Sequence, residues 1–388
     1  MNFDDLDIAR LRARRGEKWA TYPADVLPLW VADMDFAPAE PVQEVLRHAL
    51  ENGDIGYPIN PTPASLPTVF AERMQERFGW SLDPQRVEVL TDVVQGLYIA
   101  LQVYSEPGDG AIVQTPIYPP FLEAVHEMGR HLIVNELVRG DEGYEIDFDA
   151  LRRGINRRTR LILLSNPHNP TGRVFTRAEL EQLAQIVLEH HLVVVSDEIH
   201  ADLVFPGHTH IPFATLGPEV EAQTVTLTSA TKAFNIAGLR CAVAAFGSEV
   251  LQDHFGEVRR HMRGGLGSLG LQATEVAWRE CQPWLDALMA YLDENRAFVA
   301  EFLREHMPLI RHHSPQATYL AWLDCRPLEL DRPPYWLFLK RAKVALSYGK
   351  HFGQGGHGFV RLNFATSRAI LNEALERMAK ALHDAKSG

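Results

Sequence analysis

Cysteine is scarce in this chain: three among 388 residues, Cys241, Cys281 and Cys325, with no CxxC spacing. That excludes a disulfide framework and a zinc signature, and lone cysteines of this kind read as small buried apolar side chains. No apolar run reaches the ~18–20 residues that a membrane span needs. The opening segment is acidic at first and has no apolar core, so no export signal is expected and the default location is the cytoplasm. Positive charge is also short, with 38 lysines and arginines against 50 acidic residues and a net charge of −12. A protein that tracks nucleic-acid phosphates needs the opposite balance. The basic cluster from Arg10 to Lys18 reads as the solvated face of a short helix. Internal repeats, low-complexity tracts and Gly/Ser linkers are missing as well. His208, His210, His312 and His313 lack a cysteine or carboxylate at ligand spacing, so no metal site is expected.

What is present is alternation. Seven apolar, strand-like runs occur between residues 84 and 250: Val87–Leu90, Ala111–Gln114, His131–Leu137, Arg160–Ser165, Leu192–Ser196, Thr224–Thr228 and Cys241–Phe246. Helical periodicity fills the gaps. Val93, Leu97, Ala100, Leu101 and Tyr104 share one face, and Thr176 with Glu179 forms a capping box ahead of Leu180, Leu183 and Val187. Such alternation predicts an α/β fold with a mostly parallel sheet covered on both faces. Ligands of such sheets gather at the carboxyl ends of the strands. The last ~110 residues read differently: long helices over Trp284–Glu305 and Ile370–Ala385 flank short strands at Tyr319–Leu323 and Phe359–Phe364, a smaller α+β domain. The expected division is a large domain over 46–280 and a small one over 281–388, with residues 1–45 joined to the small domain.

Three strand ends carry chemistry. Thr226-Leu-Thr-Ser-Ala-Thr-Lys232 ends an apolar strand in hydroxyl residues and a lone lysine, with Arg240 eight residues on. A lysine in a low-dielectric cleft near other cations has a depressed pKa and serves as nucleophile or base. Ser229 and Arg240 suit a phosphate. Leu163-Leu-Ser-Asn-Pro-His-Asn-Pro-Thr-Gly172 carries two Asn-Pro dipeptides that hold the asparagine amides in place. Val193-Val-Val-Ser-Asp-Glu-Ile-His200 puts Asp197 at the end of a buried strand. There a carboxylate is costly unless paired, and a protonated pyridine nitrogen is one suitable partner, a helix N-cap role the plainer alternative. Gly264-Gly-Leu-Gly-Ser-Leu-Gly270 follows no strand and reads as a turn at a helix start rather than a dinucleotide loop.

On these stretches, with Leu27-Pro-Leu-Trp-Val-Ala-Asp-Met-Asp-Phe36 and Gly358-Phe-Val-Arg-Leu-Asn-Phe364, the chain resembles the class I/II aminotransferase superfamily of pyridoxal-phosphate (PLP) enzymes. Within it the chain looks closest to the cystathionine β-lyase branch of C–S lyases. The resemblance covers the whole length and implies the aspartate-aminotransferase-like fold. It further implies that Lys232 carries the cofactor as a Schiff base and moves the Cα proton, and that Asp197 pairs with the pyridine nitrogen. Asn169 would bond the phenolic oxygen, with His200 where many relatives have a tyrosine. Tyr118 would stack on the ring. Ser229, Arg240 and the amides of Val93 and Val94 would hold the phosphate, Asp92 capping that helix and pointing away. Tyr57 would reach the phosphate and substrate of a partner subunit in a homodimer, and Arg361 would clamp the substrate α-carboxylate. The implied reaction is β-elimination from L-cystathionine or a related cysteine S-conjugate. Transamination of a small amino acid, and a regulatory or binding protein that keeps the site, are the alternatives.

Overall fold

In a computed structural model, which describes residues 2–59, 65–140 and 143–387, the seven runs form a single seven-stranded sheet. Its strands are β1 (Val87–Leu90), β2 (Gly110–Thr115), β3 (His131–Glu136), β4 (Thr159–Ser165), β5 (Val193–Asp197), β6 (Thr224–Thr228) and β7 (Ala242–Phe246). Each end falls within one residue of its expected place. The order is β1-β7-β6-β5-β4-β2-β3. All pairings are parallel except the two made by β7, which runs antiparallel to β6 and β1.

The central strands are apolar on both sides, so successive residues feed two different cores. Leu161 and Leu163 of β4 and Val195 of β5 pack into a cluster with α1 (Val93–Tyr104) and α2 (Pro119–Glu127). Ile162, Leu164 and Val194 face the opposite way, onto Leu180, Leu183 and Val187 of α3 (Arg177–His190). The Thr176–Glu179 capping box starts α3, with both reciprocal hydrogen bonds made. Close packing sets α1 against the sheet at Gly96, where a Cβ would lie 2.8 Å from Leu227 and 2.9 Å from Leu90. A Cβ there would force both leucine side chains to shift, so glycine lets the start of α1 come down onto the carboxyl ends of β1 and β6 without repacking.

A second, antiparallel sheet contains β8 (Arg311–His312), β9 (Leu320–Asp324), β10 (Ser347–Tyr348) and β11 (Phe359–Asn363), in the order β8-β9-β11-β10. It shares a hydrophobic cluster with α4 (Gln282–His306) and α5 (Arg368–Ser387). The N-terminal segment is tied to this sheet. Leu27–Pro28 pairs in parallel with Val344–Ala345, and Asn363 Nδ2 donates to the carbonyls of Val31 and Asp33.

One expectation needs correcting here. Lys18 is not on a solvated face. It is buried and its Nζ lies 3.0 Å from Asp35 Oδ1. A lysine withdrawn from water needs such a partner, and Asp35 also accepts from Trp19 Nε1 at 2.6 Å.

Candidate active site

The strand ends converge. β1, β4, β5 and β6 finish on one edge of the sheet, and the antiparallel β7 begins there, so residues 91–95, Ser165, Asp197, Ser229, Thr231, Lys232 and Arg240–Cys241 line a shared cavity of about 640 Å³. Arg361 enters from β11 of the second sheet and Val31–Ala32 from the N-terminal segment. Lys232, Asp197, Asn169, His200, Tyr118, Ser229, Arg240, Val93, Val94 and Arg361 all reach this cavity. Tyr57 does not; it is fully exposed on the surface of the single chain.

Lys232 Nζ donates to the Ala32 carbonyl at 2.8 Å, and the buried Tyr319 hydroxyl donates to the same oxygen at 2.8 Å. Burial pushes the lysine pKa down, aided by the Arg361 charge and opposed by Asp33 and Asp197. Asp197 is buried with one hydrogen bond to its carboxylate, from the Ile199 N–H at 3.0 Å. Burial raises its pKa to about 7; that N–H and Lys232 favour the anion, while neighbouring Glu198 disfavours it. His200 is held neutral, its pKa lowered to about 3 by burial and by the Lys232 and Arg361 cations. Its Nδ1 is buried with no partner.

Arg361 is fixed on three sides. Nη1 donates to Asn169 Oδ1 at 2.9 Å, and Nη2 to the Trp30 carbonyl at 3.0 Å and to Ser347 Oγ at 3.2 Å. Its guanidinium lies 5.0 Å from the Phe352 ring centroid. Burial lowers its pKa to about 10, so it stays charged at neutral pH. Asn169 thereby has its oxygen engaged and its amide N–H groups still to be used. Tyr118 sits at the head of α2, its backbone N–H bonded to the Asn169 carbonyl at 3.1 Å.

At the far end, Asp92 caps α1 by accepting from Gln95 N at 2.8 Å, and its other oxygen is 2.5 Å from Arg240 Nη2. The backbone N–H groups of Val93 and Val94 head the helix toward the cavity. Ser229 Oγ donates to the Cys241 carbonyl at 2.6 Å and lies 2.8 Å from the Thr231 hydroxyl. The glycine-rich turn packs here too: Gln95 Nε2 donates to the Arg263 carbonyl at 2.6 Å.

Three contributors went unread in the sequence. Thr231 and Gln95 line the cavity, and the hydroxyl run Ser229–Thr231 was a usable signal for the first. The Ala32 carbonyl carries no side-chain signature at all. His210 meets a carboxylate through space: its Nε2 is 2.9 Å from the buried Glu198 Oε2.

These residues fit pyridoxal phosphate. A buried carboxylate short of a cation, an orphaned imidazole nitrogen, an exposed aromatic face, and helix-head amides beside an arginine match its ring nitrogen, ring oxygen, π-face and phosphate in turn. Residues 24–378 match the family described as aminotransferase class I and II. The chain is 39% identical to the cystathionine beta-lyase PatB of Bacillus subtilis (strain 168), over 92% of this chain and 93% of that one. It is 34% identical to a cystathionine beta-lyase of Corynebacterium glutamicum, covering 98% and 100%. Among solved structures it is similar to the PLP-bound C-S lyase from Staphylococcus hominis, with a TM-score of 0.92, 31% identity and coverage of 98% and 99%.

Proposed function

The chain belongs to the aminotransferase class I and II family, and on that premise we propose that it works as a pyridoxal-phosphate-dependent C–S lyase, cleaving L-cystathionine or a related cysteine S-conjugate with water to a thiol, pyruvate and ammonia. Bound pyridoxal phosphate supplies an electron sink that makes the Cα proton of an attached amino acid acidic. The observation that carries the reading is the shared cavity of Lys232, Asp197 and Arg361.

Each residue has a task that follows from its surroundings. Lys232 is the covalent anchor, and its burial favours the neutral amine that a base must be. The Ala32 carbonyl holds Nζ at a defined place between proton transfers. Arg361, braced by Asn169, Trp30 and Ser347, offers its fork to the α-carboxylate and so fixes which face of Cα meets the lysine. Asp197 supplies the counter-charge that keeps a proton on the ring nitrogen. Asn169 and His200 would hold the ring oxygen, and Tyr118 would stack on the ring.

Two parts of the reading go beyond the single chain. The exposed apolar side chains Leu50, Ile55, Tyr57 and Ile59 support a homodimer in which Tyr57 completes the partner's site. The three buried free cysteines agree with a cytoplasmic setting.

The test is an absorption spectrum followed by a product assay. A band near ~420 nm reports the lysine-bound cofactor. Pyruvate and thiol released together from L-cystathionine, without a keto-acid acceptor, is the expected result. Amino-group transfer to the cofactor with no thiol would make the protein an aminotransferase instead.

A further inference from the structure

The phosphate end of the cavity holds a charge that neither helix capping nor cofactor binding calls for. Asp92 Oδ1 caps α1, a task asparagine performs as well. Its second oxygen is 2.5 Å from Arg240 Nη2. The other cations lining the cavity, Lys232 and Arg361, serve the opposite end. The guanidinium best placed for a phosphate is therefore already engaged by a carboxylate, and a phosphate seated on the amides of Val93 and Val94 would lie beside that negative charge.

We infer that Asp92 is a built-in competitor of the cofactor phosphate: it holds Arg240 while the pocket is empty and yields it on binding, which makes the cofactor easier to release. The inference rests on the pyridoxal-phosphate reading of the cavity. It follows from one arginine serving two anions in turn, the carboxylate having to give up its partner before the phosphate can take it. Because both side chains are partly in water, the effect is moderate and sensitive to salt.

The test is cofactor retention, not turnover. Holoenzyme of the wild type and of Asp92→Asn is dialysed at low ionic strength, and the remaining absorption band and the Kd for added pyridoxal phosphate are measured. Asp92→Asn is expected to bind roughly three- to fivefold more tightly, the range for a solvent-screened charge pair. The gain is expected to fade in high salt and in an Arg240→Gln background. Asp92→Ser, which also caps, should behave like Asp92→Asn. Inorganic phosphate should raise the thermal midpoint of the cofactor-free variant more than that of the wild type. Equal or weaker binding by Asp92→Asn, or a gain that persists without Arg240, overturns the competitor role while leaving the cofactor assignment intact. A wild-type protein that takes up no pyridoxal phosphate overturns both.

Discussion

At one end of the cavity Asp197 and His200 are sealed from water, whereas at the other the side chains of Arg240 and Asp92 are 66% and 28% exposed. The two ends carry comparable formal charges and obey different electrostatics. In the sealed end a single charge has little solvent around it, so burial itself moves its protonation, as the raised pKa of Asp197 shows. In the open end water and salt share the work, and charges tune rather than decide. On the proposed reading, the chemistry falls where fields are strong and cofactor exchange where they are weak.

The largest break in this contrast is at the lysine. Lys232→Ala should abolish the band near ~420 nm and lower kcat by about 10⁴-fold or more, since anchor and base are lost together. Next is Asp197→Asn, which should cost about 10²- to 10³-fold in kcat, a typical loss for a preorganised charge. Arg361→Lys should raise KM by roughly ten- to a hundredfold, because a point charge cannot reproduce a bidentate fork.

Stability sharpens the comparison through pH. In the cofactor-free protein the Asp197 pKa lies above its unfolded value of 3.8, at about 7. The folded state therefore binds more protons between those values, and stability falls as pH rises through that window. Asp197→Asn removes the penalty. Its thermal midpoint should exceed that of the wild type at pH 8, by a margin worth on the order of a few kcal/mol, and the difference should close near pH 4. Added pyridoxal phosphate should shrink the gap by supplying a partner for the carboxylate. The smallest effect lies far from both ends: Thr176→Ala should cost about 1 kcal/mol in urea unfolding through the lost α3 cap, with kcat unchanged.

The sheet was legible because its strands are apolar runs, and the lysine and aspartate because each is an expensive group at the end of such a run; Arg361, in the middle of a short strand, was legible only through the family resemblance. Strands of two residues, such as Arg311–His312 and Ser347–Tyr348, are too short to show a period. Lys18 was misread because its partner Asp35 lies 17 residues away in the chain and only the fold brings the two together. Backbone acceptors such as the carbonyls of Trp30 and Ala32 leave no mark in the side-chain sequence.

Those carbonyls have a consequence for how the enzyme is made. Trp30, Val31, Ala32 and Asp33 accept hydrogen bonds from Arg361, Asn363, Lys232 and Asn363 respectively. This short segment is thus tied down by side chains that lie 200 to 332 residues further along the chain. The seven-stranded sheet itself contains neither Arg361 nor Asn363, the β11 residues that order the segment over Lys232. A change in β11 and a change in residues 30–33 therefore bear on the same lysine.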